Sequence, residues 1–310
     1  MYRKLNRTIL ATIFVVLLSV VILIELADSR RGGRNFPESL VSVDAGEITA
    51  LELFPRVTGG KVIKLIKNGD EWSVESDDKK YRADGSRIIS LINELNLMSP
   101  ESVISVKEEG WEQYEVTDSL GTRVKLFSGS KLLSDLIIGK FSFSQSRKMT
   151  SYVRTAGEKE VYGIDGMIGM SFNRNINYFR DNTVIDSPAS EWSELSFSYP
   201  ADSSFVMEKA ADKWMVDGQR ADSASVTEYL SSLSDLSDSR FAEIDNAAGL
   251  TMTHKLVIGK SDGTEPLEIS GYFTGGDEFF VESSQNIGAL FNIRELAEKI
   301  FISKKKLTGK

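Results

Sequence analysis

One stretch of this chain occurs twice, and it limits the fold to something that can be built in duplicate. The first copy runs from Ile63 to Met98, the second from Phe205 to Leu236. Counted from Trp72 and Trp214, apolar residues recur at matching places: Ile63 and Phe205, Leu65 and Met207, Val74 and Val216. Alternation of this kind marks strands with one buried face. Asn68-Gly69-Asp70 supplies turn chemistry between the first pair of strands, because Asn and Gly tolerate positive φ. Ala210-Ala211-Asp212 is a poorer turn at the matching position.

Each hairpin leads into an Arg-Ala-Asp triplet and then an apolar stripe. Counted from Asp84, the stripe is Ile88, Leu91, Ile92, Leu95 and Met98; from Asp222 it is Val226, Tyr229, Leu230, Leu233 and Leu236. Spacings of 4, 7, 8, 11 and 14 draw one face of a helix. An aspartate just before the stripe can accept the free N–H groups of the first turn, so Asp84 and Asp222 read as helix caps rather than catalytic acids. Trp72 and Trp214 read as structural residues of the hairpins. The match continues upstream, where Ile48, Leu51 and Leu53 share the spacing of Trp192, Leu195 and Phe197. Downstream, Tyr152-Val153-Arg154 resembles Phe280-Val281-Glu282.

The copies stand 138 residues apart (84 to 222), too long for a solenoid repeat. The expected fold is therefore α+β. An N-terminal transmembrane helix precedes two related domains, each a mainly antiparallel sheet with a helix packed on one face. The boundaries read as a basic head (1–7), a transmembrane helix (8–26), a flexible linker (27–43), a first domain (44–172), a connector (173–190), a second domain (191–302) and a basic, solvated tail (303–310). Within these, 161–170 reads as a short helix or loop. The spacing of Leu290, Ile293, Leu296 and Ile300 predicts a closing helix over 287–302.

Ile9 to Leu26 holds fourteen Leu, Ile, Val or Phe residues and a single charge, Glu25. As a helix, these residues span about 27 Å, close to the hydrocarbon thickness of a bilayer. At roughly 0.3–0.6 kcal/mol per apolar residue, insertion is favoured by about 4–8 kcal/mol. A cleaved signal peptide is the rival reading, because Ala27-Asp28-Ser29 loosely fits a cleavage site. Membrane lipid is thus an expected partner through residues 9–26. Basic residues flank both ends, so orientation rests on the short head: an inner-membrane, single-pass protein with its N-terminus in the cytoplasm and its bulk outside.

Composition removes several functions. A net charge of −8 argues against nucleic acid as a partner. The absence of cysteine excludes disulfides, thiolate metal sites and thiol nucleophiles. His254 is the only histidine, no G-x-S-x-G elbow accompanies it, and no H-E-x-x-H, EF-hand, Walker A or G-x-G-x-x-G pattern occurs. No catalytic, metal or cofactor residue stands out, and the expectation is a protein that is not an enzyme and takes no cofactor. The densest aromatic and charged cluster is Tyr178-Phe179-Arg180-Asp181, the candidate partner contact, with an aromatic plug between the domains as the plainer reading.

Together these residues resemble a known family. Ile48-x-x-Leu51-x-Leu53, Trp72-Ser73-Val74, Arg82-Ala83-Asp84, the Ile88–Leu95 helix, Tyr178-Phe179-Arg180-Asp181 and the copy from Trp214 to Leu236 are similar to the bacterial family called domain of unknown function 4340. The resemblance spans nearly the whole chain after the anchor. It implies one N-terminal anchor and an extracytoplasmic bulk. Because many members are encoded near gliding-motility-type ABC transporter components, it also implies an accessory role with ABC transporter-type membrane subunits as partners. The family brings no established catalytic residues. The alternatives are an envelope glycan-binding module or hydrolase, with the four tryptophans lining a cleft, and a structural spacer.

Overall fold

The computed structural model describes residues 12–22, 36–143, 148–244, 246–275 and 278–309. The basic head, residues 8–11 and 23–26 of the expected span, and linker residues 27–35 lie outside the described residues. Residues 12–22 form an exposed helix, α1. No helix among the described residues is long and apolar enough to cross a membrane.

The remainder is mainly antiparallel sheet with a smaller share of helix. The first sheet contains, in chain order, β1 (Ala50–Phe54), β2 (Ile63–Asn68), β3 (Glu71–Ser76), β4 (Lys79–Arg82), β5 (Pro100–Ser105), β6 (Thr122–Ser128), β7 (Lys131–Phe143), β8 (Met149–Thr155) and β9 (Val161–Asp165). Across the sheet their order is β4-β3-β2-β1-β6-β7-β8-β9-β5. After a short strand β10 (Thr183–Asp186), the chain builds β11 (Trp192–Ser198), β12 (Phe205–Ala210), β13 (Lys213–Val216) and β14 (Gln219–Arg220). Then come β15 (Asp235–Ser237), β16 (His254–Lys260), β17 (Leu267–Gly275), β18 (Glu278–Ser283) and β19 (Leu290–Asn292). The second sheet runs β14-β13-β12-β11-β16-β17-β18-β19, the same order as the first through eight strands. A single bridge from Phe241 to Phe291 of β19 stands where β5 flanks β9 in the first sheet.

Helix α2 (Gly85–Asn96) lies on the first sheet, and Ile88, Leu91, Ile92 and Leu95 are buried against Leu51, Leu65, Val74 and Val124. Four such side chains contribute about 1.5–3 kcal/mol each. The cap contributes about 1 kcal/mol. The stripe therefore holds the helix, and the cap sets where it begins. The Asp84 carboxylate accepts the Arg87 N–H at 3.1 Å. Far along the chain, α6 (Ser223–Leu233) repeats this: Asp222 accepts the Ser225 N–H at 2.9 Å, and Val226, Tyr229, Leu230 and Leu233 are buried. That backbone hydrogen bond, and after it one from the Ser225 side chain, hold the Asp222 carboxyl below its ordinary value. A short helix, α3 (Trp111–Tyr114), covers the opposite face of the first sheet over Ile137 and Val161.

Three local expectations need correction. Residues 161–165 are strand β9, not helix or loop; Gly163 lets it pass β5, where a Cβ would meet Ser102 and Ile104 at 3.0 Å. Only Gly169–Phe172 (α4) is helical there. The stretch 287–302 is not one helix either. Leu290 to Asn292 pair with β18, burying Phe291, and α7 starts at Arg294 and ends at Ile300. Finally, the basic tail is not a solvated end. Residues Lys304–Thr308 form α8, Leu307 is fully buried, and Lys304 pairs with Asp217.

That tail has a counterpart. The Leu307 carbonyl accepts the Asp222 N–H at 2.9 Å, and the Phe179 carbonyl accepts the Asp84 N–H at 3.0 Å. Phe179 closes α5 (Ile176–Phe179), a single turn in the stretch expected to be a connector. The start of α5 is set by Asn175, whose side chain accepts the Tyr178 N–H. Each copy thus returns a short helix to the start of its long helix.

Candidate functional site

The expected contact cluster sits where the two sheets meet. Phe179 is fully buried in the first core and Arg180 is buried beside it. The Arg180 guanidinium lies 3.7 Å from the ring centroid of Tyr81 on β4 and 3.7 Å from that of Phe241, which bridges to β19. One cation thus joins an aromatic ring from each sheet, and such a contact gains when water is excluded. Asp181 receives an ion pair from Arg82 Nε at 3.2 Å, and Arg82 also donates to the Gln285 carbonyl at 3.0 Å. Asn286 Nδ2 donates to the carbonyls of Asp181 and Thr183 at 2.8 and 3.1 Å. Tyr178 is half-buried; its carbonyl accepts from Arg87, and the guanidinium carbons of Arg87 and Arg174 lie 4.8 and 4.9 Å from its ring.

A cavity of about 290 Å³ opens at this junction, lined in part by Glu71, Lys80, Arg82, Asp181, Asn286 and Ile287. Ile287 is 85 % exposed, an unusual position for a β-branched aliphatic residue beside a buried charged cluster. Sequence reading located the Tyr178–Asp181 half of the junction and missed Tyr81, Phe241 and the Gln285–Ile287 loop. Each comes from a distant strand end, and only an aromatic at a strand edge signals it.

The structural residues divide unevenly. Trp72 is buried, whereas Trp214 is partly buried beside a cavity of about 70 Å³. Trp192 is fully buried and donates to Ser187 at 3.0 Å. Trp111 lies under the Arg154 guanidinium at 3.8 Å. Burial pulls that guanidinium below its ordinary value, with Asp118 opposing. Trp72, Trp111 and Trp214 border three separate cavities and, among the described residues, line no common cleft. Among the described residues, no group of three or more His, Asp or Glu is arranged to hold a metal ion.

A second cavity, of about 320 Å³, shares no lining residue with the first and is bordered by Arg56, Leu120, Lys140, Phe141, Met170 and Arg174. Nothing in the sequence pattern singled it out. Its residues come from β7, α4, the turns after β1 and α4, and the stretch from α3 into β6, places with no shared spacing.

Fold and junction define an α+β protein built on two antiparallel sheets of like strand order. A family model described as a domain of unknown function (DUF4340) matches residues 72–255, more than half of the chain. The chain belongs to that family. The matched span starts at Trp72 and stops at Lys255, narrower than the near-complete resemblance expected from the motifs. No curated protein and no solved structure matches the chain.

Proposed function

We propose that the chain is a membrane-tethered, non-enzymatic binding protein, an accessory of an ABC-type transport or envelope complex. In this reading, residues 9–26 are the anchor, and 44–172 and 191–302 are sibling domains outside the cytoplasm. The observation that carries it is the junction. Arg180 between Tyr81 and Phe241, with Arg82, Asp181 and Asn286 around it, ties both sheets together while Ile287 stands in solvent beside a polar cavity. An exposed aliphatic residue rimmed by polar groups suits a protein contact. Tethering supports the same reading, since confinement at the bilayer raises the effective concentration at a membrane partner.

The test is a photoreactive residue at position 287 in the full chain, irradiated in intact membranes. Recovery of a transporter subunit in the crosslinked product is the expected result. Recovery of lipid alone, or of no membrane protein at 287 while control positions on β17 behave identically, defeats the reading.

A further inference from the structure

The second cavity carries a charge imbalance that the fold does not use. Arg56, Lys140 and Arg174 border it with one acid, Glu115, and Glu115 is already paired with Arg56. Among the described residues, Lys140 and Arg174 pair with no carboxylate. The buried Nε of Arg174 has no hydrogen-bond partner, and its guanidinium only faces the Tyr178 ring. Buried donors in native proteins nearly always find an acceptor; with Nε shut off from solvent, the outer amino groups of Arg174 are what a ligand in the cavity could meet. The protein as a whole carries −8, which makes this local excess of cations stand out further.

The remaining walls are apolar and open. Leu120, Phe141 and Met170 border the cavity and are all exposed. The track continues outward, since Phe143 packs edge-on against Phe141 at 5.7 Å and is itself exposed. Val57 joins from the turn after β1, held by its N–H to Asn173 Oδ1 at 2.8 Å. A bare inorganic anion leaves these walls wet. A protein partner of ordinary affinity covers about 800 Å² on each side. A concave site of about 320 Å³ with two unpaired cations at its polar rim fits a smaller ligand.

We propose that this cavity binds a single-chain amphiphilic acid of the fatty-acid type. The carboxylate pairs with Arg174 and Lys140, and the alkyl chain lies along Leu120, Met170 and Phe141 toward Phe143. Guanidinium and ammonium donors to a carboxylate are the stronger class of hydrogen bond, and the methylenes gain by leaving water. The site shares no lining residue with the junction cavity, touches the contact cluster only where Arg174 faces Tyr178, and needs no transporter partner.

The test uses the full chain in phosphatidylcholine nanodiscs with a diazirine-bearing dodecanoate as photoprobe and peptide mapping as readout. Label is expected within 138–143 and 167–174. Unlabelled dodecanoate should compete, and dodecanol, with the same chain and no charge, should compete at least tenfold less. Arg174→Ala and Lys140→Ala should each weaken labelling about tenfold, the usual scale of one charged hydrogen bond. Lys255→Ala, on the second sheet, should leave it unchanged. Arg174→Lys, which keeps the charge, should retain most of the binding and show that loss in Arg174→Ala is not misfolding. Scattered label, equal competition by dodecanol, or wild-type labelling in both alanine variants overturns the proposal. Labelling of these segments by an acidic amphipathic peptide probe and not by dodecanoate overturns it in favour of a protein ligand.

Discussion

The two halves agree through eight strands and one capped helix, then part company at the strand that follows the helix. In the first half, that strand is β5, which runs on to flank β9. In the second half, the same stretch is divided. Residues Asp235–Ser237 pair with β10, the segment leaving the first half, and only the short stretch from Arg240 to Ala242, bridging at Phe241, reaches β19. The second half thus commits part of this stretch to β10, whose Val184 and Ile185 sit in the second core with Leu236, and leaves its sheet edge to one bridge. The difference teaches that the stretch leaving the first half is more than a linker, because it docks on the second core. That docking is built from pairing that one half keeps for itself and the other diverts.

The comparison is broken most readily at the returning helices. Phe179→Ala should cost about 3–5 kcal/mol, the range for a buried aromatic replaced by alanine. Leu307→Ala should cost about 2–5 kcal/mol by the same reasoning. Urea denaturation of each variant measures both. A neutral Leu307→Ala would mean that α8 is not the counterpart of α5, whatever its hydrogen bond to Asp222.

A smaller effect is expected at the cap. Asp84→Ala should destabilise by about 1 kcal/mol, the usual loss for an N-cap carboxylate. Asp222→Ala should act in the same direction. If thermal unfolding shows neither variant moving, the caps are decorative and the apolar stripes alone fix where both helices begin.

The hairpin turns sharpen the contrast further. Gly69 takes φ +64° in the first copy, and Ala211 takes φ +53° at the matching place. A side chain in that region costs about 1–2 kcal/mol, partly offset by the greater unfolded-state freedom of glycine. Ala211→Gly should therefore stabilise by about 0.5–1 kcal/mol in the same assay.

The subtlest difference concerns pH. By register, Thr122 of the first sheet corresponds to His254 of the second, since both lie two residues before the partner of Leu53 or Phe197. His254 is enclosed by the rings of Tyr199, Phe279 and Phe301 at 5.1, 5.2 and 5.3 Å, and burial pulls it below its ordinary 6.5. The unfolded chain then takes up a proton first as pH falls through 6.5. Stability is lost from there down to the lowered folded value. His254→Phe should remove that loss, so unfolding of variant and native protein at pH 7.5 and 5.5 should diverge only at the lower pH. Parallel curves would contradict it.

Much of this architecture was legible because the stripes repeat. Residues at helical spacing after Asp84 and Asp222 became buried faces, since period and burial are the same information. Several stretches were not legible. Leu307 is one apolar residue behind three lysines, too little to outweigh a charged run. Leu290 and Phe291 belong to a strand, yet Leu290 also falls on the spacing of the helix that follows. At the junction, Arg180 was visible as a residue but not as a bridge. Its second ring, Phe241, stands 61 positions away and obeys no period. The second cavity was hidden for a related reason, since an unpaired arginine looks like any other until its surroundings are known.

The returning helices also set an order of assembly. A chain emerging from the ribosome releases Phe179 before any strand of the second sheet exists, so the first half can seal while the second is still being synthesised. Arg180 then waits with Tyr81 on one face and solvent on the other until residue 241 arrives. The second half cannot seal until Leu307 is out. Nascent chains stalled between those two points should carry one protease-resistant half and one open sheet.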